Sequence, residues 1–81
     1  MTDTAELRQV IKDSGLKLEF IAQKLGLTRF GLQKKIENNS EFKASEILLL
    51  CEILNITSLR RREQIFFAQN VESNSTSEVN E

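Results

Sequence analysis

The spacing of apolar residues along the chain predicts a series of short amphipathic helices. Leu7, Val10 and Ile11 recur at helical spacing and predict a first helix over residues 4–14, which Gly15 ends. The same kind of spacing predicts four further helices, over residues 18–25, 28–37, 44–54 and 58–69. The expected fold class is therefore all-α, a compact bundle of five helices joined by short loops.

The length and composition of the chain allow one small domain. The chain has 81 residues, and its hydrophobic fraction of 40% is ordinary for a globular protein. From Val71 onward, Ser, Asn, Thr and Glu predominate, and such a segment buries too little apolar surface to become ordered. The sequence predicts a folded domain over residues 1–71 and a flexible acidic and polar tail over residues 72–81.

Charge is unevenly distributed along the chain. The 11 basic and 12 acidic residues give a formal net charge of −1. Residues 5–71 hold all 11 basic residues and 8 of the acidic ones, which leaves this part with a net charge of +3. Obvious nucleic-acid binders are more strongly basic, so the charge alone fits a well-solvated surface equally well.

The composition argues against catalysis, metal binding and membrane insertion. The chain has no histidine and a single cysteine, Cys51, so we expect no enzyme activity, no zinc site and no cofactor. A lone cysteine cannot form an internal disulfide, which fits the reducing cytoplasm. The longest apolar run, residues 47–51, is far shorter than the roughly 20 residues of a membrane span. The N-terminus also lacks the basic and apolar regions of a signal peptide.

Residues 18–37 have the pattern of a helix-turn-helix. Ala22 supplies the small residue needed where the two helices cross, and Gly26 supplies the positive φ that the turn requires. The wedge between the helices is expected to be filled by three leucines, Leu25, Leu27 and Leu32. This ordered set of residue types is more specific than any one of its members.

The motif resembles the helix-turn-helix of the phage repressor and Cro-like regulators, the xenobiotic-response-element class. The resemblance covers about residues 5–70, since residues 42–56 look like the fourth helix of that family. Residues 64–68 look like the end of small Cro-like proteins from phages of Gram-positive hosts. The resemblance implies a lambda-repressor-like DNA-binding domain and a transcriptional repressor that binds operator DNA as a homodimer. The alternative is a helical bundle that merely contains the Ala-x-x-x-Gly spacing.

The resemblance also implies which residues contact DNA, because the third helix of such proteins lies in the major groove. Arg29 can bond guanine bidentately, Gln33 can do the same with adenine, and Phe30 can pack on a thymine methyl group. The remaining residues expected at the DNA backbone are Lys17, Thr28, Lys34 and Lys35. Ordinary solvation is the alternative for Lys34 and Lys35, and packing onto the core is the alternative for Phe30.

Two positions depart from the family pattern. The second helix begins with Leu18 and Glu19, where relatives commonly have a Gln or Thr that contacts a phosphate. This removes a donor and adds an anion, which Lys17 compensates only in part. Lys43 stands where a capping Thr is usual, so the fourth helix is expected to lose its side-chain cap although Glu46 remains.

Surplus apolar residues suggest a protein interface. Leu48 and Leu49 exceed what the core stripe of the fourth helix needs, and Phe66 and Phe67 are a second candidate pair. The alternative is that both pairs belong to the core. A basic run over residues 60–62 can reach flanking phosphate or face solvent or a partner. A second function therefore stays open: a helix-turn-helix interaction module, an antirepressor or modulator that binds another phage repressor.

Overall fold

The computed structural model describes residues 1–68, in which all regular secondary structure is α-helical. Its five helices are α1 Thr4–Ser14, α2 Leu18–Lys24, α3 Arg29–Ile36, α4 Ala44–Ile53 and α5 Leu59–Phe66. The all-α, five-helix prediction is confirmed. The first helix has the predicted bounds, and the others end slightly earlier than the apolar spacing suggested.

Short-range hydrogen bonds set the starts of the helices. The side chains of Asp3, Thr28 and Ser58 each accept a hydrogen bond from the backbone N–H three residues later, at the starts of α1, α3 and α5. At the start of α4, the Lys43 side chain has no acceptor for such a bond. The Glu46 carboxylate instead accepts from the Lys43 backbone N–H at 2.8 Å, which is half of a capping box.

Every helix contributes at least one fully buried side chain to a single core. These side chains are Leu7 on α1, Ile21 on α2, Leu32 and Ile36 on α3, Leu50 on α4 and Ile65 on α5. Cys51 is also buried in this core, and the burial raises the pKa of its thiol although the charge of Arg62 opposes the shift. Cys51 therefore packs as a small apolar residue.

The first residues of the chain run between the carboxyl ends of α3 and α5. The backbone N–H of Asp3 donates to the Ile65 carbonyl at 2.7 Å, which joins this segment to α5. Thr2 is buried and exchanges two hydrogen bonds of 2.8 Å with the Asn38 side chain, directly after α3. The N-terminal segment therefore connects the last turn of α3 to the C-terminal helix.

No helix within residues 1–68 is both long enough and apolar enough to cross a membrane. The predicted domain boundary at residue 71 and the predicted flexible tail over residues 72–81 lie outside the described residues.

Candidate nucleic-acid interface

Helices α2 and α3 pack directly on each other through a tight turn. Ile21, Ala22 and Leu32 are at most 1% exposed in this contact. Gly26 has a φ of 73°, and the N–H of Leu27 donates to the Ala22 carbonyl at 2.9 Å to close the turn. A side chain at position 26 would be strained in this left-handed conformation. The turn and the buried contact together fix the direction of α3.

The first turn of α3 is exposed to solvent. The Thr28 hydroxyl accepts from the Gly31 N–H at 2.9 Å and caps the helix. Arg29 is exposed, and none of the three ion pairs within residues 1–68 involves it. Phe30 is 71% exposed, so it does not pack onto the core. Three consecutive side chains at the amino end of α3 are therefore available to a ligand.

The second turn of α3 is less uniformly outward than predicted. Lys34 is exposed, and its Nζ lies over the Phe30 ring at 5.5 Å from the centroid, within the range of a cation–π interaction. Gln33 is half-buried, so only part of its side chain is accessible. Beyond its first turn, α3 therefore exposes fewer side chains to solvent.

Lys35 does not lie on the exposed surface of α3, where the prediction placed it. Its Nζ donates to Glu46 Oε1 at 2.6 Å, and the two side chains are only 11% and 10% exposed. An ammonium group held in this way is not free to contact a phosphate. Helical spacing places Lys35 beside the buried Ile36, on the flank of α3 that faces the start of α4. Lys35 therefore connects α3 to α4.

Glu46 is the acceptor at the centre of this contact. Its burial by itself would raise the pKa of the carboxyl group. The hydrogen bonds from Lys35 and from the Lys43 backbone, together with the charges of the two lysines, outweigh the burial and lower the pKa below 4.5. Glu46 is therefore held as a carboxylate by the residues that surround it.

An open groove of about 550 Å³ lies between the amino ends of α2 and α3. Its walls are formed by Lys17, Glu19, Phe20, Gln23, Leu27, Thr28 and Arg29. The predicted contact residue Lys17 is exposed here, and the anionic Glu19 is part of the same groove. Leu18 turns the other way and packs against the core. The unfavourable charge predicted at the start of α2 is thus next to the candidate interface.

Sequence reasoning missed three outward residues of α2. Phe20 is 42% exposed, with the Nζ of Lys24 at 5.4 Å from its ring centroid. Gln23 is exposed and lines the groove beside Arg29. The spacing of the buried residues of α2 could have predicted all three. Positions 20, 23 and 24 lie on the face of the helix opposite its buried residues.

The carboxyl end of α3 is held at several points. Besides the contact of Lys35, the Arg8 guanidinium pairs with the Glu37 carboxylate at 2.7 Å. The Thr4 hydroxyl donates to the Ile36 carbonyl at 2.6 Å. Contacts from α1, α4 and the N-terminal segment therefore position the rear of α3, while its amino end projects outward.

The predicted interface residues divide into two groups. Leu48, Leu49 and Phe67 are 55%, 42% and 58% exposed, so they are available to a partner. Phe66 is only 4% exposed, and its ring meets the Phe42 ring edge-on with centroids 5.5 Å apart. For Phe66 the alternative of core packing applies, because the last turn of α5 directs this ring into the core.

Helix α4 and the start of α5 enclose a groove of about 440 Å³ beside Leu48. Glu52 and Arg62 bring opposite charges to this groove, and Ile56 adds apolar surface. In the basic run over residues 60–62, Arg61 pairs with Glu6 of α1 at 3.1 Å. Part of that run therefore has an intramolecular role, which the sequence did not indicate.

Comparison with known proteins adds no relative: no protein-family model, curated protein or solved structure matches this chain. Within residues 1–68 there is also no group of three or more Cys, Asp or Glu side chains that could hold a metal ion. The function therefore has to be inferred from the geometry of the helix-turn-helix surface itself.

Proposed function

We propose that this protein is a sequence-specific DNA-binding regulator of transcription, a Cro-like phage repressor that acts in the bacterial cytoplasm. It binds operator DNA with the amino end of α3 in the major groove. As a homodimer on a pseudo-palindromic site, it places its two recognition helices about 34 Å apart, one turn of the DNA helix. Occupation of the site then excludes polymerase or a competing repressor.

The observation that carries this proposal is the asymmetry of α3. Its carboxyl end is fixed by Lys35, Ile36 and Glu37, whereas Arg29 and Phe30 at its amino end are exposed. A helix that inserts into the major groove needs this arrangement, because its outer residues must keep a fixed position while their side chains reach base edges.

The polar groups around the exposed turn suit the chemistry of DNA. Arg29 has the donor geometry for the O6 and N7 atoms of guanine, and the accessible part of Gln33 can bond adenine. Lys17 and Lys34 provide charge for phosphates on either side of the groove, and Thr28 adds a hydroxyl donor. Glu19 opposes this attraction, so we expect binding to depend strongly on a few well-placed base contacts.

The test begins with selection of duplexes from a random-sequence DNA library by the full chain. Binding of the enriched duplex is then measured for Arg29→Ala and for an Arg29→Ala, Gln33→Ala double variant. Arg29→Ala should lose about 1–3 kcal/mol of discrimination at one base pair. Arg60 is exposed and lies outside the helix-turn-helix, so Arg60→Ala is the matched control and should keep the same ranking of sequences.

The result against this proposal is equally specific. Failure of the library to yield any enriched duplex would reject sequence-specific binding. Retention of full specificity by the double variant would reject α3 as the recognition surface.

The exposure of Leu48 and Leu49 supports a second candidate function. In this alternative the protein is an antirepressor or modulator that keeps the helix-turn-helix fold but acts by binding another repressor. Two exposed leucines side by side on a small domain are typical of an interface, and the neighbouring groove offers a place for an apolar side chain. The same surface can also join two copies of this chain.

Co-purification with a phage repressor tests the second candidate. Leu48→Glu or Leu49→Glu should abolish the interaction without unfolding the chain, since neither side chain is buried in the core. Leu59→Glu introduces the same charge at a leucine that is 67% exposed and belongs to neither candidate surface, so it is the matched control. Binding of operator DNA at nanomolar concentration, without interaction with any repressor, would exclude this function.

A further inference from the structure

Phe30 is the most exposed large apolar side chain within residues 1–68, at 71%. It lies in the first turn of α3, directly after Arg29 and one helical turn before Lys34. The Lys34 ammonium is over the ring at 5.5 Å from the centroid. The ring therefore has a cation beside it while most of its surface stays open to solvent.

The charges around Phe30 restrict what can cover it. A ligand that buries this ring also approaches the guanidinium of Arg29 and the ammonium of Lys34, neither of which belongs to an ion pair of the described residues. The ligand must therefore offer an apolar group within a strongly anionic surface. The DNA major groove has this combination, because the thymine 5-methyl group lies on its floor between two rows of phosphates.

We propose that Phe30 is a specificity-determining residue that recognises the 5-methyl group of a thymine next to the base pair contacted by Arg29. This inference rests on the proposed function and adds an apolar contact that contributes to sequence specificity. Hydrogen bonds from Arg29 select one base pair, and burial of a methyl group against the phenyl ring selects its neighbour. Lys34 is a positioning residue, since it holds the ring and contacts phosphate with the same ammonium group.

The prediction that follows concerns a single methyl group. Uracil has the hydrogen-bonding pattern of thymine but lacks the 5-methyl group, so replacing one base by the other removes only the apolar contact. Loss of one buried methyl group should weaken binding about three- to five-fold. The effect should occur at one thymine in each half of the operator.

The experiment uses the duplex selected by the full-length wild-type chain, with each thymine replaced by uracil in turn. Fluorescence anisotropy titrations then compare wild type with Phe30→Ala and with Leu59→Ala. Replacement of one particular thymine by uracil should weaken the binding of wild type about three- to five-fold. Phe30→Ala should bind both duplexes equally, and Leu59→Ala, which removes a similarly exposed apolar side chain elsewhere, should keep the wild-type preference.

Two outcomes would overturn the inference while leaving the proposed function intact. One is a wild-type chain that binds every uracil-substituted duplex as well as the parent. The other is a methyl preference that persists in Phe30→Ala. If no duplex is enriched from the library at all, the proposed function fails and this inference fails with it. Because Phe30 is so exposed, loss of folding is not expected to obscure the result, and circular dichroism checks this for each variant.

Discussion

The ammonium group of Lys35 donates a 2.6 Å hydrogen bond to the Glu46 carboxylate in a nearly buried ion pair between α3 and α4. The same carboxylate oxygen accepts from the backbone N–H of Lys43 at the start of α4. One acidic side chain thus caps one helix and fixes the position of another. The orientation of the candidate recognition helix depends on this contact.

Glu46→Gln should destabilise the fold by about 2 kcal/mol at neutral pH, because it leaves the buried ammonium group of Lys35 without a counter-charge. Urea denaturation followed by circular dichroism measures the free energy of unfolding. The control is Glu37→Gln, which makes the same change in the exposed pair with Arg8, whose side chains are 47% and 41% exposed. That variant should lose less than about 1 kcal/mol. Equal losses in the two variants would show that the Lys35–Glu46 pair has no special role.

The pH dependence of stability should report on the same pair. The pKa of Glu46 lies below its ordinary value of 4.5, so the folded state binds fewer protons than the unfolded state near that pH. The stabilisation is therefore complete above pH 4.5 and is lost as the pH falls through the lower pKa of the folded state. The free energy of unfolding, measured by urea denaturation at several pH values in this acidic range, should change less with pH for Glu46→Gln than for wild type. An unchanged slope would contradict the assignment.

Lys34 and Lys35 are adjacent in the chain but should behave differently on substitution. Lys34→Ala should leave the free energy of unfolding nearly unchanged and weaken binding to all duplexes. The slope of the logarithm of affinity against the logarithm of salt concentration should fall by about 1, because one phosphate contact is lost. Lys35→Ala should mainly lower the free energy of unfolding, because it leaves the Glu46 carboxylate unpaired. Binding titrations at several salt concentrations, combined with urea denaturation, separate the two effects. An equal reduction of the salt dependence by both variants would reject the separate roles.

Phe66 and Phe67 offer a second adjacent pair with contrasting environments. Phe66→Ala should cost about 3–5 kcal/mol, because it removes a buried ring that contacts Phe42. Phe67→Ala should change the free energy of unfolding by less than about 0.5 kcal/mol in the monomer. Thermal denaturation at low protein concentration measures both. A large loss in Phe67→Ala that increases with protein concentration would indicate that this residue lies in a dimer interface.

Asn38 should stabilise the fold through both its backbone and its side chain. It has a φ of 66° and exchanges two hydrogen bonds with Thr2. Asn38→Gly keeps the left-handed backbone but loses the hydrogen bonds, at a cost of about 1–2 kcal/mol. Asn38→Ala should lose about 1 kcal/mol more, because alanine is strained in that conformation.

Asn55 has a similar φ of 59° without the contact to Thr2, so Asn55→Gly is the matched control. It should be close to neutral in urea denaturation. A loss in Asn55→Gly as large as that in Asn38→Gly would show that the hydrogen bonds to Thr2 contribute little.

The candidate site was predictable from the sequence where helical spacing alone decides exposure. Arg29, Phe30 and Lys34 face outward because the positions of Leu32 and Ile36 define the buried side of α3. Phe20 and Lys24 could have been found by the same reasoning applied to α2. The partial burial of Gln33 could not, because it depends on how closely a neighbouring part of the fold approaches that flank of the helix.

The sequence by itself determined the five helices and the left-handed turn at Gly26. These features depend on hydrogen bonds and sterics within a few residues of each position, so local patterns are sufficient to predict them. Only the tertiary structure decided that Lys35 pairs with Glu46 and that Phe66 enters the core. Those outcomes depend on which flank of one helix meets another helix, and that choice is made by the packing of the whole core.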